Sequence, residues 1–284
     1  MTTLLHSYSP ITVPEDFVPV FDPGPHTYEW RKWTMPGVSH LLTEFGLKDF
    51  DRNWYRGWLM EKKGVPEKHV DAEMAKAAIR GSEAHYSIEK MMMQQSLELD
   101  RDLPTAEWGE PPITHEQLRW FVTRAEQVMK ELEVEEVLMV EQTLVHPVGH
   151  YSGTIDALVR TPKGLVALDW KTKESKAKLR HDKTNRYQLA AYLGAINNVC
   201  QNMATEDGEP IRVLRTANAY LAPDGYKLVQ NEPEDVMKAW VEFQGLLYEY
   251  WEIRVNQGAD FEQPELAQAA MACILERWGP FEDV

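Results

Sequence analysis

Two aspartates interrupt neighbouring apolar segments near the middle of the 284-residue chain, where buried strands would carry Val or Ile. If Pro162 and Lys163 are the central turn residues, Asp156 faces Asp169 with Cβ atoms roughly 5 Å apart. A three-residue loop closed by Gly164 would shift this pairing by one residue unless a bulge restored it. Two carboxylates at such a short distance either share a proton or bind a cation, and hard divalent cations prefer oxygen ligands.

A lysine follows the second aspartate at a spacing that places both side chains on one strand face. Lys171 lies two residues after Asp169, within about 7 Å along a strand. This set suits phosphodiester hydrolysis, because a metal polarises the phosphoryl oxygen and activates water while the lysine orients water or neutralises charge. One Asp-x-Lys alone would indicate a structural ion pair, but the additional Asp156 favours catalysis.

Composition and cysteine content exclude several classes of protein. The hydrophobic fraction is 43% and the charged fraction is 26%, and no apolar run approaches the ~20 residues of a membrane-spanning helix. Cys200 and Cys273 are expected to be buried free thiols, and two cysteines are too few for an iron–sulfur cluster. Because the N-terminus resembles neither a secretion signal nor a presequence, we expect the cytoplasm of a bacterial or phage-infected cell.

The charge is unevenly distributed along the chain. A formal net charge of −15 argues against non-specific wrapping of nucleic acid, because phosphate binding needs clustered Lys and Arg. A basic segment nevertheless follows the candidate catalytic strand, and its cations are Lys171, Lys173, Lys176, Lys178, Arg180, Lys183 and Arg186. A charge run alone is typical of a solvated loop. Its position directly after Lys171 favours contact with phosphates.

Periodicity divides the chain into four parts of one domain: an irregular lead-in over 1–35, a helical part over 36–133, a sheet core over 134–230 and covering helices over 231–284. Helix caps are predicted at Ser39, Asp51 and Asp71, and Thr114 with Gln117 resembles a capping box. Strands are predicted at 137–146, 151–160, 165–170, 213–221 and 226–229, with a helix over about 184–199. This order indicates one α/β core with helices on both sides.

Four short motifs, in order, resemble those of the PD-(D/E)XK nucleases in their RecB-like branch. They are Gly81-Ser82-Glu83-Ala84-His85, Gly153-Thr154-Ile155-Asp156, Asp169-Trp170-Lys171 and Gln188-Leu189-Ala190-Ala191-Tyr192. The last two, with their flanks, are most similar to the family of the mitochondrial genome maintenance exonuclease and its phage relatives. The resemblance spans roughly 36–255. It implies a restriction-endonuclease-like α/β fold, with a mixed central sheet flanked by helices and a helical N-terminal extension.

The resemblance also implies a role for each motif residue. His85, Asp156, Asp169 and the carbonyl of Trp170 would ligate Mg²⁺ or Mn²⁺, and Lys171 would be the catalytic lysine. A lone helical histidine would otherwise be interpreted as structural.

Three further residues are expected near the reacting phosphate. Glu141 would correspond to the branch's early glutamate, although a solvent-facing strand residue is an alternative. Gln188 and Tyr192 share a helix face and would point at the phosphate or at metal-bound water. Tyr192 could equally belong to the core.

Relatives of this kind act on single-stranded DNA ends and flaps, with the strand threaded under an arch of N-terminal helices. The resemblance thus implies a DNA exonuclease in replication, recombination or repair, with replication or recombination proteins as further partners. Lys173, Lys176 and Arg186 are the candidate phosphate contacts. The aromatics Trp54, Tyr55 and Trp58 could stack bases, although a core role explains them more simply. The alternatives are a structure-selective or double-strand endonuclease and a non-catalytic DNA-binding module.

Overall fold

A six-stranded mixed sheet carries the residues singled out by sequence, with strand order β1-β5-β6-β7-β8-β9. The structure is a computed structural model that describes residues 6–22, 27–47, 52–97, 101–105, 109–180, 182, 184–201, 203 and 211–278, without the side chains of 52–54. The sheet strands are β1 (Ser7–Tyr8), β5 (Glu136–His146), β6 (Tyr151–Thr161), β7 (Gly164–Thr172), β8 (Arg215–Ala222) and β9 (Gly225–Asn231). Parallel pairs join β1 to β5 and β7 to β8, and the other neighbours are antiparallel.

Helices cover both faces of this sheet, as the apolar strands predict. The helices are α1 (Val38–Glu44), α2 (Arg52–Lys63), α3 (Val70–Met92), α4 (His115–Glu131), α5 (Asn185–Val199), α6 (Pro233–Gln257) and α7 (Pro264–Trp278). One core cluster joins α3 and α4 to the face that carries Ala157 and Leu168. The other joins α1, α5, α6 and α7 to the face of Leu158 and Ala167. The mixed α/β fold with flanking helices is therefore confirmed.

The turn between β6 and β7 is the two-residue turn predicted at Pro162 and Lys163. The ladder runs from Thr161 paired with Gly164 to Ala157 paired with Leu168. Gly164 has φ +105°, a conformation that favours glycine. Asp156 and Asp169 are the next residues along the two strands after this last pair.

The N-terminal segment is more regular than predicted. It forms a three-stranded antiparallel sheet of β2 (Val20–Asp22), β3 (Thr27–Trp30) and β4 (Trp33–Met35), and β1 joins the main sheet. The prediction of an irregular lead-in is wrong here, because strands of two to four residues are too short to display a period of two.

Helix ends follow the predicted chemistry in part. Thr114 and Gln117 form the predicted capping box. The caps of α1 and α3 are instead Gly37 and His69, without side-chain hydrogen bonds, so Ser39 and Asp71 are wrong predictions. Asp51 lies outside the described residues.

The described helices include none with both the length and the apolar character to cross a membrane. Both cysteines are free; Cys200 is buried as predicted, whereas Cys273 is partly exposed, because it lies on a helix that keeps one side in solvent.

Candidate active site

The first strand of the site contains a strained residue. Glu141 has φ +45°, which is uncommon for a residue with a side chain and is found preferentially where function maintains strain. The flanking ladder pairs are Val140 with Ala157 and Gln142 with Ile155. Glu141 therefore lies opposite Asp156, with its side chain 30% exposed.

Asp156 is the buried carboxylate on the central strand. Its Oδ2 accepts a hydrogen bond of 2.7 Å from the backbone N–H of Trp170. Burial raises the pKa of Asp156 to about 7, since the nearby imidazole of His85 offsets this rise only in part while Asp169 and Glu141 add to it. A cation bound beside this buried carboxylate would stabilise its charged form.

His85 reaches the same point from α3. Its Nδ1 lies 3.2 Å from Glu141 Oε1 and 3.8 Å from Asp156 Oδ2, and its Nε2 lies 3.1 Å from the carbonyl oxygen of Trp170. Burial alone would lower the pKa of His85, but the surrounding carboxylates of Asp156, Glu141 and Asp169 raise it to about 9. Without a metal ion, the imidazolium therefore supplies positive charge among the acids. A divalent cation bound here would displace a proton from His85, because only the neutral imidazole can be a ligand.

His85, Glu141 and Asp156 form a possible metal-ligand cluster. Each offers one ligand atom, and these atoms lie within 4.8 Å of one another. The donor set fits a divalent cation, because carboxylate and carbonyl oxygens suit Mg²⁺ and Mn²⁺ while an imidazole is well tolerated by Mn²⁺. The carbonyl oxygen of Trp170 lies beside His85, and its role as an additional ligand stays a prediction.

Asp169 stands next to this cluster with both oxygens already bonded. Its side chain is 1% exposed. Its Oδ1 accepts a hydrogen bond of 2.7 Å from Lys171 Nζ, and its Oδ2 accepts one of 3.0 Å from Asn218 Nδ2. Its negative charge still raises the pKa values of His85 and Asp156. The charge of Asp169 therefore acts on the cluster, but its two oxygens are hydrogen-bonded to Lys171 and Asn218. Its role as a metal ligand stays a prediction.

Lys171 connects the acids to helix α5. Burial opposes its charge, but Asp169 and Asp156 raise the pKa of Lys171, so the amine stays protonated. Its Nζ lies 3.5 Å from Gln188 Oε1, and Gln188 Nε2 donates to Tyr192 OH at 2.8 Å. Gln188 and Tyr192 therefore share one helix face, as their four-residue spacing predicts, and Gln188 lies next to the lysine.

Tyr192 is buried against the glycine of the second motif. A Cβ on Gly153 would lie 2.5 Å from Tyr192 Cε1. The tyrosine belongs to the core, and its hydroxyl accepts a hydrogen bond from Gln188. Its contact with the phosphate or with metal-bound water stays a prediction. A glycine is required where the ring crosses β6 this closely.

The three predicted phosphate contacts lie in different environments. Lys173 is partly exposed beside the site, and its backbone N–H donates to Leu221. Lys176 is exposed, with its stem against Gly225. Arg186 pairs with Glu242 on α6 at 3.0 Å.

The aromatic residues of α2 form a separate small cluster. The rings of Tyr55 and Trp58 stack at 5.6 Å with an interplanar angle of 13°, and both are partly buried around Leu59, Val65 and Val70. The side chain of Trp54 lies outside the described part of the structure.

Asn218 is a site residue that sequence reasoning missed. It is the parallel partner of Asp169 on β8 and is fully buried. Its Oδ1 has no hydrogen-bond partner among the described residues, which is costly for a buried polar atom. A polar residue inside the apolar strand Arg215–Ala222 was the available signal.

The site combines a cluster that could hold a cation with a lysine paired to an aspartate. This arrangement, on a mixed sheet covered by helices, is typical of a metal-dependent phosphodiester hydrolase. The family model of the PD-(D/E)XK nuclease superfamily matches residues 47–275, so the chain belongs to this superfamily. The superfamily that this model describes is one of nucleases.

Two further comparisons add context. No curated protein matches the chain. Among the solved structures that match is the crystal structure of SSO0001, which is 19% identical with a TM-score of 0.26 and is aligned over 44% of this chain and 55% of its own. The chain thus spans about half the length of that structure.

Proposed function

We propose that this protein is a metal-dependent DNA exonuclease that acts on single-stranded ends or flaps in replication, recombination or repair. The observation that carries the proposal is the cluster of His85, Glu141 and Asp156 directly beside the Lys171–Asp169 pair. We place it in the RecB-like branch, near the mitochondrial genome maintenance exonuclease and its phage relatives, on the four motifs. A cytoplasmic location is part of the same proposal.

The side chains divide the chemical work. Bound Mg²⁺ or Mn²⁺ would supply Lewis-acid activation of the phosphoryl oxygen and of water. His85, Glu141 and Asp156 would hold the ion, with Asp169 and the Trp170 carbonyl as further oxygens.

The protonated Lys171 stabilises negative charge that develops on the phosphoryl group. Gln188 holds the lysine and Tyr192 in one chain of contacts, so it orients the amine toward the reacting phosphate. The roles of Lys171 and Gln188 therefore depend on groups already in place before substrate arrives.

Two observations support a single strand as the substrate. The protein carries a formal charge of −15, so its attraction for DNA must come from the short basic segment rather than from a broad positive face. A stacked aromatic pair, Tyr55 and Trp58, lies on the helical part, and unpaired bases stack on such rings.

Cleavage of labelled DNA tests the proposal. Linear and circular single strands, blunt duplex and a 5′ or 3′ flap are incubated with Mg²⁺, Mn²⁺ or EDTA, and product lengths are read on a gel. We expect mononucleotides or short oligonucleotides from linear single strands and flaps, and no product with EDTA. Cleavage of circular DNA would identify an endonuclease, and binding without cleavage under every metal would identify a non-catalytic DNA-binding module.

A further inference from the structure

A second set of charged side chains joins α3 to the segment that follows β7. Glu174 is its centre: Oε1 lies 3.6 Å from Arg80 Nη2, and Oε2 accepts a hydrogen bond from Lys178 Nζ. The Lys178 hydrogen bond, followed by the charges of Lys178, Arg80 and Lys63, lowers the pKa of Glu174. Two cations therefore contact one carboxylate, and the charge of Lys63 acts on it as well.

This set lies close to the metal-ligand cluster along the same helix. Arg80 precedes His85 by five residues, which is about 7.5 Å along a helix axis. Gly81 brings this turn of α3 against β7, since a Cβ there would lie 3.6 Å from Thr172 Oγ1.

We propose that Arg80 and Lys178 form a phosphate subsite for the DNA strand that enters the metal centre, and that Glu174 occupies this subsite until the DNA backbone displaces it. The inference rests on the proposed function and assigns one binding position for its substrate. A guanidinium matches the oxygens of a carboxylate and of a phosphate equally well, so one can replace the other.

The burial of the three side chains suits such an exchange. The side chain of Arg80 is 16% exposed, whereas those of Glu174 and Lys178 are 51% and 59% exposed. The guanidinium is therefore held in the protein while the carboxylate faces solvent. Ion pairs this exposed contribute little to stability, so a phosphate can displace the carboxylate at small cost.

Neighbouring groups extend the subsite toward a base. Glu174 is close enough to contribute, after burial, to the raised pKa of Tyr55, whose ring stacks on Trp58. Lys63 Nζ lies 5.3 Å from the centre of the Trp58 ring. The nearby acid Glu73 forms an ion pair with Lys76, which offsets its repulsion of a bound phosphate. An aromatic surface beside a cation cluster is the combination that binds single strands without sequence preference.

Binding of fluorescein-labelled oligothymidylate to the full chain in EDTA, followed by anisotropy across a NaCl series, tests the subsite without cleavage. We expect E174Q to bind about two- to fivefold more tightly, since the competing charge is gone. R80A binds more weakly and lowers the salt slope by roughly 0.7, the value for one phosphate contact on a single strand. The double variant shows little of the E174Q gain, and R80K lies between R80A and the wild type.

The Arg215–Glu232 ion pair provides the matched control. It is 2.8 Å long with side chains 27% and 57% exposed. Arg215 begins β8 opposite Val166, three residues before the Asp169–Asn218 pair. R215A and E232Q keep the wild-type affinity and slope.

The outcomes separate this inference from the function on which it rests. If the wild type cleaves DNA with metal but E174Q and R80A bind exactly as it does, Glu174 is a structural partner and the subsite is refuted. If R80A unfolds, E174Q and R80K decide. A wild type that neither binds nor cleaves any DNA overturns both the subsite and the nuclease proposal.

Discussion

Asn218 and Asp169 are side-by-side partners on parallel strands, and the Asn218 amide donates a hydrogen bond of 3.0 Å to Asp169 Oδ2. Lys171 holds the other oxygen of the same carboxylate. Two donors thus fix the orientation of Asp169, and the amide contributes without adding charge. A buried amide whose own Oδ1 lacks a described partner is retained at a cost of about 1–3 kcal/mol, which indicates a positioning role.

Replacing Asn218 is expected to change the metal requirement of cleavage. N218L removes the donor to Asp169, and the metal concentration for half-maximal activity rises about 10- to 100-fold, as for other groups that orient metal ligands. N218D adds a like charge beside Asp169 and lowers activity further. The measurement is cleavage rate against Mn²⁺ concentration, with melting curves to verify folding. N231L is the control, since Asn231 bonds Thr216 elsewhere in the sheet; an unchanged requirement in N218L would remove Asn218 from the site.

The contrast between these two residues shows what sequence can predict. Asp156 and Asp169 are predictable because a two-residue turn fixes the register of a hairpin, and the turn residues are local in sequence. Asn218 depends on the register of a parallel strand reached through α5, which no local pattern encodes. The left-handed conformation of Glu141 likewise has no sequence signal, because it follows from the strand pairing around it.

Long-range ion pairs escaped prediction for the same physical reason. The contiguous basic segment predicts a phosphate contact for Arg186, and that contact stays a prediction. The ion pair of Arg186 with Glu242, 56 residues away, has no local signal in the sequence. The capping box at Thr114 was predictable because both of its hydrogen bonds join residues three apart.

Removal of the Lys171 amine is expected to abolish catalysis while DNA binding persists. K171A lowers the cleavage rate by at least about 10²- to 10³-fold, because a donor directed at developing charge is lost. Affinity for labelled single-stranded DNA in EDTA stays within a fewfold of wild type, since other cations contact the backbone. K163A, in the distant β6–β7 turn, is the matched control. Wild-type rates in K171A would refute the site assignment.

Substitution of Asp156 by Asn is expected to raise the free energy of unfolding while it abolishes metal binding and cleavage. Burial raises the pKa of Asp156 from 3.8, the ordinary value for aspartate, to about 7 in the folded protein. The stability due to this group is therefore complete below pH 3.8 and is lost as pH rises from 3.8 to about 7. At pH 8 in EDTA, urea titration is expected to show that the free energy of unfolding of D156N is about 1–2 kcal/mol higher than that of the wild type. The gain is no larger because the variant also loses the attraction between Asp156 and His85.

The same variant tests metal binding. Mn²⁺ raises the melting temperature of the wild type, and D156N loses this rise together with cleavage. D235N, on the exposed first turn of α6, retains both. If D156N kept the Mn²⁺-dependent rise, the ligand cluster would be wrongly assigned.

Gly153 is expected to tolerate no side chain. In G153A the new methyl group meets Tyr192 Cε1 at 2.5 Å and Val38 Cγ2 at 3.2 Å, so the ring must shift away from Gln188. Overpacking of this kind costs about 1–3 kcal/mol. Cleavage slows as well, because Gln188 and Lys171 move together. The comparison is G57A, where the added Cβ meets nothing within 4 Å; equal stability and rate in G153A and G57A would contradict the prediction.

His146 is expected to make the fold sensitive to acid, independently of the active site. Its ring stacks on Tyr151 at 5.0 Å, and its Nδ1 accepts a hydrogen bond of 2.9 Å from the Gly149 N–H, which requires the neutral imidazole. Burial, with a smaller effect of His150, lowers the pKa of His146 to about 3, against 6.5 for an unperturbed histidine. Below pH 6.5 the unfolded chain therefore binds a proton that the folded chain does not.

The stability due to His146 is thus complete above pH 6.5 and is lost as pH falls from 6.5 toward 3. Between pH 7.5 and 5.5 we expect a loss of about 1.4 kcal/mol in the free energy of unfolding from this group. H146Q, less stable at pH 7.5, shows a correspondingly smaller further loss in urea titrations, while H40Q, at an exposed position, retains the wild-type loss. The same pH dependence in H146Q and wild type would show that another group controls the acid transition.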